Sequence, residues 1–471
     1  MSARVAQALV FATSGLVLVL EIIAARLVAP YVGISLESFT AVIGTMLAGI
    51  AAGAALGGRV ADRTDPARLI GPTIIAAGVL SWLSVPIVRA LGPAVDASAT
   101  STVVLVASAF LLPSAVASSV SPMVAKLALG SIDETGTVVG GLSAAGTAGA
   151  LAGTFLTGFV LVTVLSVRAI VFLIGAVLVA IGVGVGWWLR RDRPTIPGAA
   201  AALIALAALF GTSSFCDHET EYYCVRIEQP PGEPRQRSLW LDQLRHGFVD
   251  LDDPTHHDIR YVRLLAGVVD AMPSGPIEAL HVGGAAFAVP RHVATTRPGS
   301  DQLVLEIDGE LVDIAERELG LVLDDRLRVR VGDARLGFGD LPDDGYDLIV
   351  GDAFGSEAVP WHLTTVEVAA ELDRLLRDDG VYAVNLIDGP DARFVAAQLA
   401  TLAEHFDHLA VIDSPSTRES AGLFNRVVLA SDRPLAEPEI GAIDGRYVEG
   451  DPWGDGRVLT DDFAPVDQLM G

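Results

Sequence analysis

Apolar residues dominate the first 215 positions and then give way to short alternating runs. Seven apolar segments stand out, at about 5–29, 38–58, 69–91, 101–127, 137–165, 168–190 and 197–215. A helix needs about 20 apolar residues to cross a bilayer, and most of these segments reach that length. The first is too long for a cleaved leader, lacks a basic start and precedes further spans, so it is expected to stay in the chain. The seventh is short and alanine-rich, and an interfacial helix is the alternative there. The pattern predicts a multi-pass α-helical membrane domain of six or seven helices over residues 1–215, at the cell membrane.

From residue 216 the period changes. Residues 222–228 and 238–242 alternate apolar and polar positions, with Pro and Gly between them. This predicts a small β-sheet, followed by a linking helix from about Pro254 to Ala271, within residues 216–275. Asp253 or Thr255 is the expected cap. Residues 276–435 then alternate strand and helix, which predicts a mostly parallel, Rossmann-like α/β sheet. Residues 436–471 read as a C-terminal tail. Glu306, Asp308, Asp333, Asp352 and Asn385 sit at strand ends, where ligands of such sheets bind.

Charge divides the chain at the same place. Residues 1–213 hold 11 Lys and Arg and 8 Asp and Glu; with totals of 32 and 57, residues 214–471 hold 21 and 49, a net −28. An acidic surface disfavours nucleic acid and attracts cationic amines, although solubility alone explains it. Cys216 and Cys224 follow the last apolar segment and have no zinc-site spacing. Two free thiols are the simpler expectation; a disulfide is the alternative on an oxidising side. Basic residues follow the second segment (Arg59, Arg63, Arg68), the fourth (Lys126) and the sixth (Arg190, Arg191, Arg193). The opposite loops offer little beyond Arg89 and Arg168. The basic loops and the N-terminus are therefore expected in the cytoplasm. Seven crossings would place the C-terminal half outside and six would keep it inside, and the sequence leaves both open. Glu21 and Arg26 are unusual within a first span. The stretch from Gly140 to Gly158 suits close helix packing. Residues 57–63 resemble the loop between the second and third helices of major-facilitator transporters, which a tight charged turn explains equally well.

The most informative pairing is Leu280-His-Val-Gly-Gly-Ala-Ala-Phe287 followed by Leu303-Val-Leu-Glu-Ile-Asp308. Glycines let a backbone approach a nucleoside, and an acid at the end of the next strand accepts ribose hydroxyls. Gly283, Gly284 and Glu306 are thus candidate nucleoside contacts. Asp308 fits a cap for the helix from Gly309.

Residues about 219–430 resemble the spermidine synthase family, the aminopropyltransferases of the methyltransferase-like fold. The segments in front resemble bacterial proteins that fuse such a domain to membrane spans. The matching residues are Leu241-Asp242, Gly283-Gly284, Glu306-Ile307-Asp308, Gly332-Asp333-Ala334, Asp352 and the tail Leu459-Thr-Asp-Asp-Phe-Ala-Pro465. The resemblance implies transfer of an aminopropyl group from decarboxylated S-adenosylmethionine, as co-substrate, to an amine such as putrescine. It places Glu306 and Asp308 at the ribose end, Asp333 and the Ala334 backbone on the adenine, and Asp352 as general base. It places Asp242, His246 and His257 on the substrate side. It implies no metal and no tightly bound cofactor, with homodimer formation as an option.

The chain departs from this pattern on the acceptor side. Ala286 stands where the family has an acid that holds the amine. Gly355 stands where a second Asp follows the base, with Glu357 nearby. The family's Tyr-His-Glu reads His256-His257-Asp258, and its substrate Gln reads His246. Each charged hydrogen bond lost weakens binding by roughly 1.5–3 kcal/mol, which points to an acceptor other than putrescine. Adjacent histidines on a helix point about 100° apart and spell no metal site. Two other functions fit: a methyltransferase using S-adenosylmethionine, and a transporter or sensor that binds a polyamine or nucleoside without turnover.

Overall fold

The computed structural model describes residues 1–95, 98–130, 135–190, 215–355, 358–413, 423–438, 446–454 and 456–470. The chain divides into two units, Met1–Cys224 and Val225–Gly471.

Among the described residues, the first unit contains six helices long and apolar enough to cross a membrane: Ala3–Val32 (α1), Leu36–Arg63 (α2), Pro66–Ala94 (α3), Ala99–Ala128 (α4), Thr135–Val164 (α5) and Val167–Leu189 (α6). The segment expected at 197–215 lies almost wholly outside the described residues. Helix α1 packs on α5 through bare backbone. A Cβ at Gly149 would sit 2.0 Å from the Phe11 carbonyl oxygen. Such close approach maximises dispersion contact, which holds helices together where lipid is as apolar as the side chains. Cys216 and Cys224 are joined in a disulfide, against the expectation of free thiols. A turn at Thr220 brings them together: its backbone N–H donates to the Tyr223 carbonyl at 2.9 Å, and its hydroxyl accepts from the Tyr223 N–H at 2.9 Å.

The second unit opens with an antiparallel sheet of Cys224–Glu228 (β1), Gln236–Leu241 (β2) and Leu244–Asp250 (β3). Helix Arg260–Ala271 (α7) follows. It starts later than the sequence predicts. Asp253 accepts from the Thr255 N–H, and Asp250 accepts from the Asp252 and Asp253 N–H groups. These local bonds compete with a helical start.

The main sheet contains Glu278–Val282 (β4), Asp301–Glu306 (β5), Leu327–Val331 (β6), Tyr346–Gly351 (β7), Leu376–Asp388 (β8), His408–Asp413 (β9), Phe424–Ser431 (β10) and Arg446–Glu449 (β11). Their order is β11-β9-β10-β8-β7-β4-β5-β6. Strands β4 to β8 run parallel, and β9, β10 and β11 pair antiparallel. The central strands are apolar on both faces because both faces are covered. Leu280 and Val282 pack with Phe338 and Leu372 on one side. Ala279 packs with Val262, Leu265 and Val293 on the other.

One buried ion pair ties the antiparallel edge to the rest. Arg426 is fully buried, pairs with Asp413 at 2.8 Å and donates to the Gly389 carbonyl at 3.0 Å. Removing one partner strands a buried charge, at about 3–5 kcal/mol. Arg426→Ala is therefore expected to cost the full chain about 3–5 kcal/mol in chemical denaturation. Replacing both partners with Met and Leu is expected to recover much of that loss.

Candidate active site

Parallel strands β6, β5, β4, β7 and β8 lie side by side, and residues at or near their carboxyl ends form a row: Asp333, Glu306, Gly283, Asp352 and Asn385. Strands are spaced about 4.8 Å apart, so three intervals separate Asp352 from Asp333 by about 14 Å. Backbone bonds extend past the strand ends. The Gly283 N–H donates to Leu305 at 2.9 Å, Asp352 to Val282 at 2.8 Å, and Gly332 to Glu306 at 2.8 Å.

Gly283 has φ +94°, and a Cβ there would lie 2.4 Å from the Asp352 carbonyl oxygen. Only glycine fits. Ala285 and Phe287 also have positive φ, at 44° and 55°. Such strain costs on the order of 1 kcal/mol per residue and needs support. Glu306 supplies it. Its carboxylate accepts from the N–H groups of Gly284 at 2.7 Å, Ala285 at 3.3 Å and Asp308 at 3.0 Å. Burial pushes the Glu306 carboxyl above the usual range, and these three donors oppose the shift. A carboxylate has about four acceptor positions, which leaves roughly one for a ligand.

Asp352 accepts from Asn385 Nδ2 at 2.9 Å, and Asn385 in turn accepts from Asn425 at 3.0 Å. The Tyr261 hydroxyl stands between the Asp352 carboxyl and the His246 carbonyl, 3.2 Å from the latter. Part of Asp352 stays open to the cleft, yet protein closely surrounds its carboxyl. That burial pushes the Asp352 pKa up to about 6, against the pull of the Asn385 and Tyr261 hydrogen bonds. Burying a charge without a counter-ion favours the protonated form.

Asp352 shares a cleft with the glycine turn, Tyr261, His246 and His281. Burial holds both imidazoles down to about 4, so both are neutral at pH 7. Gln302 Nε2 donates to the Pro290 carbonyl at 3.1 Å, which leaves its Oε1 to accept from His281 Nε2 at 3.0 Å. His281 therefore carries its proton on Nε2, and its Nδ1 is a bare acceptor. Among the described residues, His281 Nδ1 and His246 Nε2 have no hydrogen-bond partner.

The other candidates lie elsewhere. Asp333 caps the short helix Ala334–Phe338, accepting from the N–H groups of Arg335 at 2.9 Å and Leu336 at 3.3 Å. It also pairs with His362 Nε2 at 3.1 Å. Arg335 donates to the His362 carbonyl at 2.9 Å and grips the Asp461 carboxylate with both terminal nitrogens, so the tail braces this end of the row. Ala334 is buried at the start of that helix. Asp308 is buried and caps helix Gly309–Glu318. Asp242 is buried in the β2–β3 turn with φ +52°. His257 bonds to His292 at 3.1 Å, and His292 to Asp270 at 3.0 Å; the His257 ring does not line the cleft. Ala286 is buried against β3, where a Cβ on Gly247 would lie 2.2 Å from the Ala286 methyl. Glu357 lies outside the described residues.

No family model matches the chain. A polyamine aminopropyltransferase from Vibrio vulnificus is 36% identical over 128 residues, covering 26% of this chain and 42% of that protein. Over those 128 residues the chain is similar to that aminopropyltransferase. The match spans about two fifths of the curated relative. A solved structure of a probable spermidine synthase from Corynebacterium glutamicum aligns with 54% of this chain and 99% of its own, at 23% identity and TM-score 0.49. A Thermotoga maritima spermidine synthase aligns with 44% of this chain and 69% of its own, at 19% identity and TM-score 0.35. Human methyltransferase-like protein 13, solved with SAH, aligns with 37% and 83%, at 19% identity and TM-score 0.32.

His281, Tyr261 and His362 line or brace this region although the sequence assigns them no role, and Asp461 belongs to the tail motif 459–465 without a role assigned there. A histidine inside an apolar strand just before paired glycines was the one available signal for His281. The glycine turn gives a direct prediction. Gly283→Ala places a methyl against the Asp352 backbone and is expected to cost roughly 1–3 kcal/mol in thermal or denaturant unfolding of the full chain.

Proposed function

We propose that this chain is a membrane-anchored aminopropyltransferase of the spermidine synthase type. Its co-substrate is decarboxylated S-adenosylmethionine, its acceptor a small amine, and it holds no tightly bound cofactor. The observation that carries this reading is a half-buried, hydrogen-bonded Asp352 that shares one strand-end row with the glycine turn, Glu306 and Asp333. The six long apolar helices support anchoring in the cell membrane.

The donor's adenosyl group would lie along the Glu306–Asp333 side of the row, with its sulfonium towards Asp352. The acceptor nitrogen attacks the aminopropyl carbon bonded to sulfur. A C–N bond forms, the C–S bond breaks, and its electron pair neutralises the sulfonium to a thioether. The proton lost by the amine goes to Asp352. Positioning lowers the barrier by converting an encounter into an intramolecular step. A general base contributes a further ~10²–10⁴-fold.

The acceptor end differs from the family pattern. The methyl of Ala286 packs against Gly247 in place of an acid. Two neutral imidazoles offer lone pairs to N–H donors without adding charge. This combination supports an acceptor with one cationic end rather than a diamine held at both ends. His246 is the proposed acceptor-side residue, with His281 beside it. Asp242 and His257 are proposed to act indirectly, through the turn and the His292 contact that they hold.

With purified protein, the donor and a panel of amines, Asp352→Asn is expected to lower kcat about 10²–10⁴-fold. Its melting temperature above pH 7 is not expected to fall, because a neutral amide replaces a buried charge. Equal turnover by wild type and variant sinks the assignment. Transfer needs the carboxylate form. Because the pKa is raised to about 6, kcat/KM should rise with pH up to about 6 and level off above it. His246→Ala is expected to raise KM for the amine while leaving KM for the donor unchanged.

A further inference from the structure

We propose that residues 215–224 lie on the non-cytoplasmic face of the membrane, so that the chain enters its α/β unit there and the site works on solutes of that compartment. What the site does rests on the reading above; where it does so is argued independently.

The six helices alternate in direction, so the helical unit has two distinct ends. Arg63 closes α2, Arg68 opens α3, and Lys126 near the close of α4 donates to the Ala61 carbonyl of α2. These residues, with Arg59, mark a basic end. Tyr31 near the close of α1, Gly92 near the close of α3 and Val167 at the start of α6 mark the other; a Cβ at Gly92 would lie 2.5 Å from the Tyr31 ring. Residues 215–224 are fastened to this second end at three points. The Phe215 ring packs on Tyr31, with centroids 5.0 Å apart. The Thr220 carbonyl accepts from Arg26 Nη2 at 2.5 Å, which gives the unusual arginine of the first span its role. The Glu219 carboxylate accepts from the Val167 N–H at 2.6 Å. An acid there satisfies an otherwise open backbone donor and suits the positive end of the helix dipole. Helix Val167–Arg190 has 24 residues and is about 36 Å long, so this end is a full membrane thickness from the other.

Two criteria then assign the sides. Lys and Arg concentrate on cytoplasmic loops, which puts the basic end in the cytoplasm and residues 215–224 opposite it. The Cys216–Cys224 disulfide lies in the same fastened segment, and disulfides persist on the oxidising side. Neither criterion uses the other. Donor and amine are then taken up from outside the cytoplasm.

The test uses the full chain in spheroplasts and a membrane-impermeant maleimide. Thr64→Cys reports the basic end, and Ser274→Cys reports an exposed position of the α/β unit; both leave the native disulfide in place. Ser274→Cys is expected to label fully before permeabilisation, and Thr64→Cys only after it. The unsubstituted chain is expected to label only after reduction. The opposite order of labelling, or thiols at Cys216 and Cys224 that react without reductant, overturns the proposal. Turnover in detergent is blind to sidedness, and labelling is blind to turnover, so the two readings fail separately.

Discussion

Gly283 has no side chain, and the Asp352 carbonyl occupies the space beside it where one would project. This close approach of two strand-end loops governs the rest of the site. It lets the turn after β4 reach across to Asp352 on one side and lets Glu306 hold the turn from the other. The sheet supplies the spacing, because parallel register leaves five strand ends level. The glycine turn converts that row into a cleft. Strain at Ala285 and Phe287 is tolerated because a buried carboxylate accepts the N–H groups that the turn exposes.

The chemistry follows from how charge is buried. The α/β unit is strongly acidic, and many of its acids lie at the surface. Asp352 is different: neutral hydrogen-bond donors hold it with no cation beside it among the described residues, so burial leaves it a much stronger base than a surface carboxylate. His246 and His281 complement it by staying neutral. A cationic substrate entering this cleft would supply the counter-charge that the protein withholds. The Asp333 end is built differently, with an Asp333–His362 contact and the Arg335–Asp461 ion pair fixing it.

Much of the architecture was legible in the sequence, for physical reasons. Apolar runs longer than 20 residues and the change to strand–helix alternation gave both halves. Glycine and acid at strand ends gave the row from Gly283 to Asp352. What escaped reading depended on distant partners. The cleft role of His281 needs Gln302 and Pro290, and the role of Asp461 needs Arg335, 126 residues away. The disulfide depended on a local turn at Thr220 that spacing alone does not reveal. The late start of α7 came from side chains that bond their own backbone more favourably than a helix would. His257 aligned with a substrate residue by position, yet its ring is engaged by His292.

The most direct test of an aminopropyl-transfer site is the identity of the donor it prefers. Titration calorimetry of the purified full chain should compare decarboxylated S-adenosylmethionine with S-adenosylmethionine itself. The decarboxylated donor brings no carboxylate to a strand-end row already holding Asp352 and Glu306, so it is expected to bind more tightly. Equal binding, or a preference for the carboxylated donor, would contradict aminopropyl transfer and leave the same fold serving methyl transfer instead.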